Sequence, residues 1–271
     1  VTIIVQISDM HVACPGDPFE DELDQAGRLA TAVDWINGLT PRPDAVLATG
    51  DLVDHYRPEQ YQRLREIMSR LQMPFWLMVG NHDHRDNLRA AFPEHAYMGT
   101  SGFLHYVIED FPVRIIALDS QKTEFPEGEF CAERLQWLRD RLAEAPDKPT
   151  IVALHHPPFA GGIVQMDDHR LNGGRDEFAA ILWENTQIER VIAGHIHRPM
   201  TATFGGCIAM SCPSTSHQIR LQIGRTDGIG IAAEPPGCLI HAWRPPDGLV
   251  SHAVPIGDFR VLADVDLRAH Y

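Results

Sequence analysis

Basic residues are scarce in this chain. Its 23 Lys and Arg stand against 37 Asp and Glu, for a formal net charge of −14. A polyanion partner needs a basic surface to displace condensed counterions, so this balance argues against a nucleic-acid polymer as the main ligand. A small anionic substrate stays open, because bound metal ions reverse the local sign of charge. Cysteine is sparse too: Cys14, Cys131, Cys207, Cys212 and Cys238 are odd in number and form no C-x-x-C pair. They read as buried or inert thiols in a reducing compartment. No apolar run approaches the roughly 20 residues of a membrane span. The stretch Val1 to Ile7 is apolar but short, with no basic leader and no small-residue cleavage site. The expectation is a cytoplasmic protein with no membrane partner. Internal repeats and low-complexity linkers are also missing.

What is present is the composition of a soluble globular protein, 44% apolar and 22% charged. A chain of 271 residues suits one large α/β domain, or one with a small appendage. Six short apolar runs read as strands: Val1–Ile7, Asp44–Thr49, Pro74–Val79, Val113–Leu118, Thr150–Leu154 and Glu189–Ala193. Runs this continuously apolar are buried on both faces. Between them, Asp21 to Asn37, Pro58 to Leu71, Ala132 to Leu142 and Arg175 to Trp183 carry helical spacing. Strand–helix alternation indicates parallel βαβ units, with ligands bound beyond the carboxyl ends of the strands. After His197 the texture changes to short strands and turns. The reading is a core over residues 1–200 and a β-rich segment over 201–271 that completes the second sheet, covers the site or makes subunit contacts.

Most of those strands end in unusual polar groups: Asp9-Met10-His11, Gly50-Asp51, Gly80-Asn81-His82-Asp83, His155-His156 and Gly194-His195-Ile196-His197. An ordinary core does not need Asp, Asn and His at strand ends, whereas two adjacent metal ions do. Asp9 and His11 are two apart, as are His195 and His197, so in extended chain each pair points to one side. Asp51 follows Gly50, which permits close backbone approach, and its carboxylate can give one oxygen to each ion. Asn81 offers an amide oxygen and His156, His195 and His197 offer imidazole nitrogens. This N/O set without thiolate suits Fe, Mn, Zn or Co and does not choose among them.

In this order, D-x-H, G-D, G-N-H-D, H-H-P-P and G-H-x-H resemble the calcineurin-like metallophosphoesterases over roughly residues 1–200. More narrowly the chain is similar to the class III cyclic nucleotide phosphodiesterases and their bacterial glycerophosphodiesterase relatives. The stretches Cys212 to Gln218 and Val254 to Phe259 resemble the latter branch. The resemblance implies a four-layer αββα sandwich and two metal ions, divalent or trivalent. The first would be held by Asp9, His11, Asp51 and His197, and the second by Asp51, Asn81, His156 and His195. It implies hydrolysis of a small phosphodiester, a cyclic nucleotide or a glycerophosphodiester, by attack of metal-activated water. His82 would face the phosphate, Asp83 would orient that loop, and Asp54 resembles the orienting Asp of G-D-x-x-D. That motif continues in the protein phosphatases with Arg-Gly, where this chain has His55-Tyr56. Asp119 and His155 would support the ligands from outside, and His217 could line the pocket. A homo-oligomer, a dimer or larger, is expected from the same branch. A phosphomonoesterase or nuclease of the superfamily, or a catalytically silent metal-binding scaffold, is the competing expectation.

Overall fold

In a computed structural model of the chain, residues 1–265 are described, and the last six of the expected C-terminal segment, 266–271, lie outside them. The apolar runs form parallel strands. β1 (Thr2–Ile7), β2 (Ala45–Ala48) and β3 (Phe75–Leu77) are joined through α1 (Glu20–Leu23), α2 (Gln25–Asn37) and α3 (Pro58–Met68). α4 (Arg85–Ala91) and β4 (Tyr106–Ile108) lead to β5 (Arg114–Ala117). β6 (Gly128–Glu129) and α5 (Ala132–Ala143) precede β7 (Thr150–Ala153). α6 (Val164–Asp168), β8 (Leu171–Gly173) and α7 (Arg175–Glu184) precede β9 (Ile188–Ala193). The chain then runs through β10 (Met200–Phe204), β11 (Cys207–Ser211), β12 (Gln218–Ile219), β13 (Ile231–Ala232), β14 (Gly237–Arg244) and β15 (Gly248–Pro255).

Two sheets result, ordered β15-β14-β1-β2-β3 and β10-β11-β9-β7-β5-β4. Side chains alternate across a strand, and this alternation builds the layers. Ile115, Ala117, Ile151 and Ala153 share one cluster with Val5 and Val46 of the first sheet. Their neighbours Ile116 and Val152 face the other way, onto Leu135 and Leu138 of α5 and Phe178 and Ile181 of α7. On the far side of the first sheet, α2 buries Leu29, Val33 and Ile36, and α3 buries Tyr61, Leu64 and Met68. The order is helix, sheet, sheet, helix. Burying each such large side chain contributes about 1.5–3 kcal/mol, and the two sheets are held face to face by this means.

One sequence expectation changes. The helix expected over 21–37 breaks at Asp24, whose backbone is left-handed (φ 48°) and whose carboxylate caps α2 by accepting from the Gly27 N–H at 3.1 Å. The C-terminal segment, expected to complete the second sheet, cover the site or make subunit contacts, contributes strands to both sheets. β10 and β11 extend the second, whereas the β14–β15 hairpin pairs antiparallel with the free edge of β1 in the first. None of the helices among the described residues is long and apolar enough to cross a membrane.

Candidate metal centre

The strand ends of both sheets meet where the polar groups lie. Asp9, His11 and Asp51 come from the first sheet and His155, His195 and His197 from the second, all buried. Potential ligand atoms of Asp9, His11 and His197 lie within 4.8 Å of one another, as do those of Asp9, Asp51 and His155, and those of His155, His156 and His195. Two sheets therefore supply one cluster.

The local backbone is not extended. Asp9 (φ 54°), His11 (φ 45°), Asp51 (φ 48°), His195 (φ 71°) and His197 (φ 55°) are all left-handed. Simple strand alternation thus does not explain why the paired residues converge; each turns inward in a sharp bend. The bends are held by hydrogen bonds: the Asp9 N–H donates to the Gly50 carbonyl and the His11 N–H to the Asp51 carbonyl, both at 3.0 Å. The His195 N–H donates to both oxygens of Asp9, at 2.9 and 3.0 Å.

The imidazoles are oriented by their outer nitrogens. His155 Nδ1 lies 2.8 Å from the Thr49 carbonyl and His197 Nδ1 2.8 Å from the His217 carbonyl. A carbonyl only accepts, so Nδ1 carries a proton in both rings; the neutral His197 then presents its Nε2 lone pair, and His155 does so once it gives up its second proton. His11 Nδ1 lies 3.2 Å from Asp54 Oδ1, which turns its Nε2 inward, 3.1 Å from His197 Nε2. His155 Nε2 is 3.3 Å from Asp51 Oδ2 and 3.2 Å from Asn81 Oδ1. Both ring nitrogens of His195 are buried and have no hydrogen-bond partner among the described residues. Each would cost about 1–3 kcal/mol if nothing satisfied it, and the inward donors around it are those a borderline cation takes. The residues fit such an ion.

Charge follows burial. Desolvation, then the neighbouring imidazoles, hold His195 and His197 well below the ordinary histidine range. Burial works against ionisation of Asp51, but the His155 and His82 charges outweigh it and its pKa falls well below normal. Burial raises Asp9 to about 6, with His155 pulling the other way. For His155 burial is overcome, chiefly by Asp51, and its pKa rises to about 9. Neutral rings and ionised carboxylates are what cation binding requires; His155 would release a proton on binding.

His155 and His156 face the opposite ways from those expected, while Asp83 holds the loop it was expected to orient. His156 is near the cluster, yet its ring is engaged elsewhere: Nδ1 lies 2.8 Å from Ser120 Oγ and Nε2 3.2 Å from the Pro126 carbonyl. His155, expected as an outer support, faces Asp51 and Asn81 instead. Asp83 does not reach the cluster; its Oδ2 accepts from the Gly80 and Leu52 N–H groups and its Oδ1 from the Tyr61 hydroxyl. It locks the turn that carries Asn81 and His82, and burial raises its pKa to about 7. The Asp119 carboxylate is paired with Arg85, and its backbone N–H donates to His105 Nδ1 at 3.0 Å. His82 lines a cleft of about 960 Å³ together with Asn81, Asp54, Tyr56, Phe103 and Phe125. Its N–H donates to Asp51 Oδ1 at 2.9 Å, and its Nδ1 lies 2.8 Å from the Asp54 carbonyl. Sequence reasoning gave no role to Ser120, which lies in no motif, or to Ser214, which lies in the Cys212–Gln218 stretch. The Ser214 hydroxyl donates to the Asp9 carbonyl at 2.7 Å and accepts from the Ser216 and His217 N–H groups. The His217 ring lies over those of His197 and His11, at 4.5 and 5.4 Å.

Residues 2–199 match the family described as calcineurin-like phosphoesterase. The chain is 36% identical over 257 residues to a protein of Arcobacter nitrofigilis named probable glycerophosphodiester phosphodiesterase GpdQ, covering 95% of this chain and 94% of that one. It is 32% identical over 251 residues to a probable cyclic nucleotide phosphodiesterase of Rhodopseudomonas palustris, covering 92% and 90%. Among solved structures, a dimetal phosphatase from Danio rerio superposes with a TM-score of 0.67 over 95% of this chain and 99% of that one, at 15% identity. That last likeness speaks for the fold.

Proposed function

The chain belongs to the calcineurin-like phosphoesterases, and on that footing we propose that it is a dinuclear-metal phosphodiesterase of small diesters, either 3′,5′-cyclic nucleotides or glycerophosphodiesters. One observation carries the reading: two sheets aim carboxylate oxygens and imidazole nitrogens at one buried volume in which His195 has no other partner among the described residues. One ion would be held by Asp9, His11, Asp51 and His197. The second would be held by Asp51, Asn81, His195 and, in place of His156, His155. When bound, such ions lower the pKa of water and neutralise charge on phosphoryl oxygens.

The chain's own groups do the rest. Asp54 and the Thr49 and His217 carbonyls fix the rings that hold the ions, as outer partners of metal-binding histidines do. The His82 Nδ1 proton is spent on the Asp54 carbonyl. Its Nε2 is left for the cleft, where a protonated ring would hold a proton toward the leaving oxygen. Asp83 keeps that turn in place. The cleft, with Phe103, Phe125 and Tyr56 on its walls, has the size of a small-molecule site.

The test is hydrolysis of bis(p-nitrophenyl) phosphate by chelator-stripped protein before and after manganese or zinc is returned, with bound metal quantified. Activity should return with metal and content should approach two ions per chain. Two bound ions without hydrolysis from neutral to alkaline pH would leave the silent scaffold as the better account. A competition panel of cyclic nucleotides against glycerophosphodiesters then decides the substrate.

A further inference from the structure

We infer that Gln121 is a positioning residue that sets the turn bearing Asn81 and His82 against the second sheet; this rests on the metal-dependent reading above. Gln121 lies between β5 and β6 and is buried. Its Nε2 donates to the Gly80 carbonyl at 2.8 Å and to the Asp83 carbonyl at 2.5 Å. Both partners only accept, so the atom facing them is the amide nitrogen and both of its protons are used. The two carbonyls flank Asn81 and His82. The side chain therefore grips the turn at each end, through its carbonyls, where the Asp83 carboxylate holds it through the Gly80 N–H.

The grip is itself fixed. The Gln121 carbonyl accepts from Arg85 and from the buried Arg134, each at 2.9 Å, and its N–H donates to Asp119 Oδ1 at 3.0 Å. Arg85 also pairs through its Nε with Asp119 Oδ2 at 2.6 Å. A side chain whose backbone is held at both polar groups loses little freedom in holding something else. The consequence is geometric. The turn follows β3 in the first sheet, while Gln121 follows β5 in the second. Gln121 therefore fixes where Asn81 stands relative to His155 and His195, which the second sheet provides. A shift of about 1 Å in such a donor is enough to cost a site like this much of its rate.

Two variants of the full chain test this. Gln121→Met keeps the volume and removes both donors; Gln121→Glu turns a carboxylate on the two carbonyls. Manganese titration of the stripped protein reads the two binding events, and steady-state kinetics on bis(p-nitrophenyl) phosphate separates kcat from KM. We expect one manganese event to weaken at least about tenfold and the other to hold. We expect kcat to fall about 10–100-fold, as for other residues that act through a ligand, with KM nearly unchanged. Both events and kcat at wild-type values would overturn the inference, and so would equal weakening of both events with a raised KM, the mark of general loosening. If Gln121→Glu does not fold, Gln121→Met decides; failure of both to fold means a structural role only and refutes positioning. Wild-type protein that does not take two ions removes the underlying reading first, a failure visible without either variant.

Discussion

Replacing His155 and His156 separately by Ala isolates the assignment that differs most from the motif. The two rings are adjacent in sequence and both fully buried. Each has outer hydrogen bonds to lose: His155 to the Thr49 carbonyl, and His156 to Ser120 and Pro126. The stability costs should therefore be similar, about 3–5 kcal/mol for removal of a large buried ring. Function should separate them. His155 Nε2 stands 3.2–3.3 Å from Asn81 and Asp51, so its loss removes a donor from the second ion. His156 acts only through neighbours, and such outer residues typically cost about 10–100-fold in metal affinity or activity. Loss of His155 should exceed that ceiling, and the protein should keep one ion instead of two. Bound metal by elemental analysis and kcat on bis(p-nitrophenyl) phosphate, both corrected for folded fraction, give the answer. If the His156 variant loses the ion while the His155 variant keeps both, the geometry described here is wrong about which ring faces inward.

Two further outcomes are expected. His241 is buried, and desolvation, then Arg190, depress its pKa from 6.5 to about 3. The folded protein keeps it neutral while the unfolded chain takes up a proton below 6.5, so its contribution is complete above that pH and is lost as pH falls toward 3. At about pH 5 the loss is about 2 kcal/mol, from 1.36 kcal/mol per unit over roughly 1.5 units. Urea unfolding at about pH 7.5 and about pH 5 should show His241→Gln losing less stability than the wild type by about that amount; equal losses would refute the linkage. Gly50 and Gly99 both have positive φ (95° and 65°), but a Cβ on Gly50 would lie 2.6 Å from His155 Nδ1 and 2.8 Å from the Gly80 nitrogen, while one on Gly99 meets nothing within 4 Å among the described residues. Both Ala variants carry a backbone penalty of about 1–3 kcal/mol for a positive-φ conformation that suits glycine. Only Gly50→Ala should also abolish metal-dependent hydrolysis, and comparable activity in the two variants would contradict the packing around Gly50.

The strands were readable because each is a nearly unbroken apolar run, and the cluster because polar groups followed those runs. Helix α4 was not readable: of its residues only Leu88 is buried, so no apolar stripe announces it. The break at Asp24 was hidden because an Asp within a helical pattern reads as an exposed face until its φ is known. His155 and His156 could not be told apart, since a shift of one residue at a strand end exchanges the inward and outward positions. Asp9 with His11 and His195 with His197 were expected together for the wrong local reason: extended pairs were inferred and left-handed bends are found. Gln121 and Ser214 act through hydrogen bonds to backbone carbonyls distant in sequence, and no spacing rule reports those.

Five left-handed residues in one place have a bearing on what keeps the site in shape. At about 1–2 kcal/mol each, nearer the lower end for the two aspartates, they sum to several kcal/mol, comparable with the roughly 5–15 kcal/mol by which a whole domain is stable. No isolated segment could hold these bends by itself. They are held where strand ends of both sheets meet, by the hydrogen bonds of the surrounding framework. The cations would then be guests of a finished host. In a zinc finger, by contrast, the ion itself drives the chain to fold.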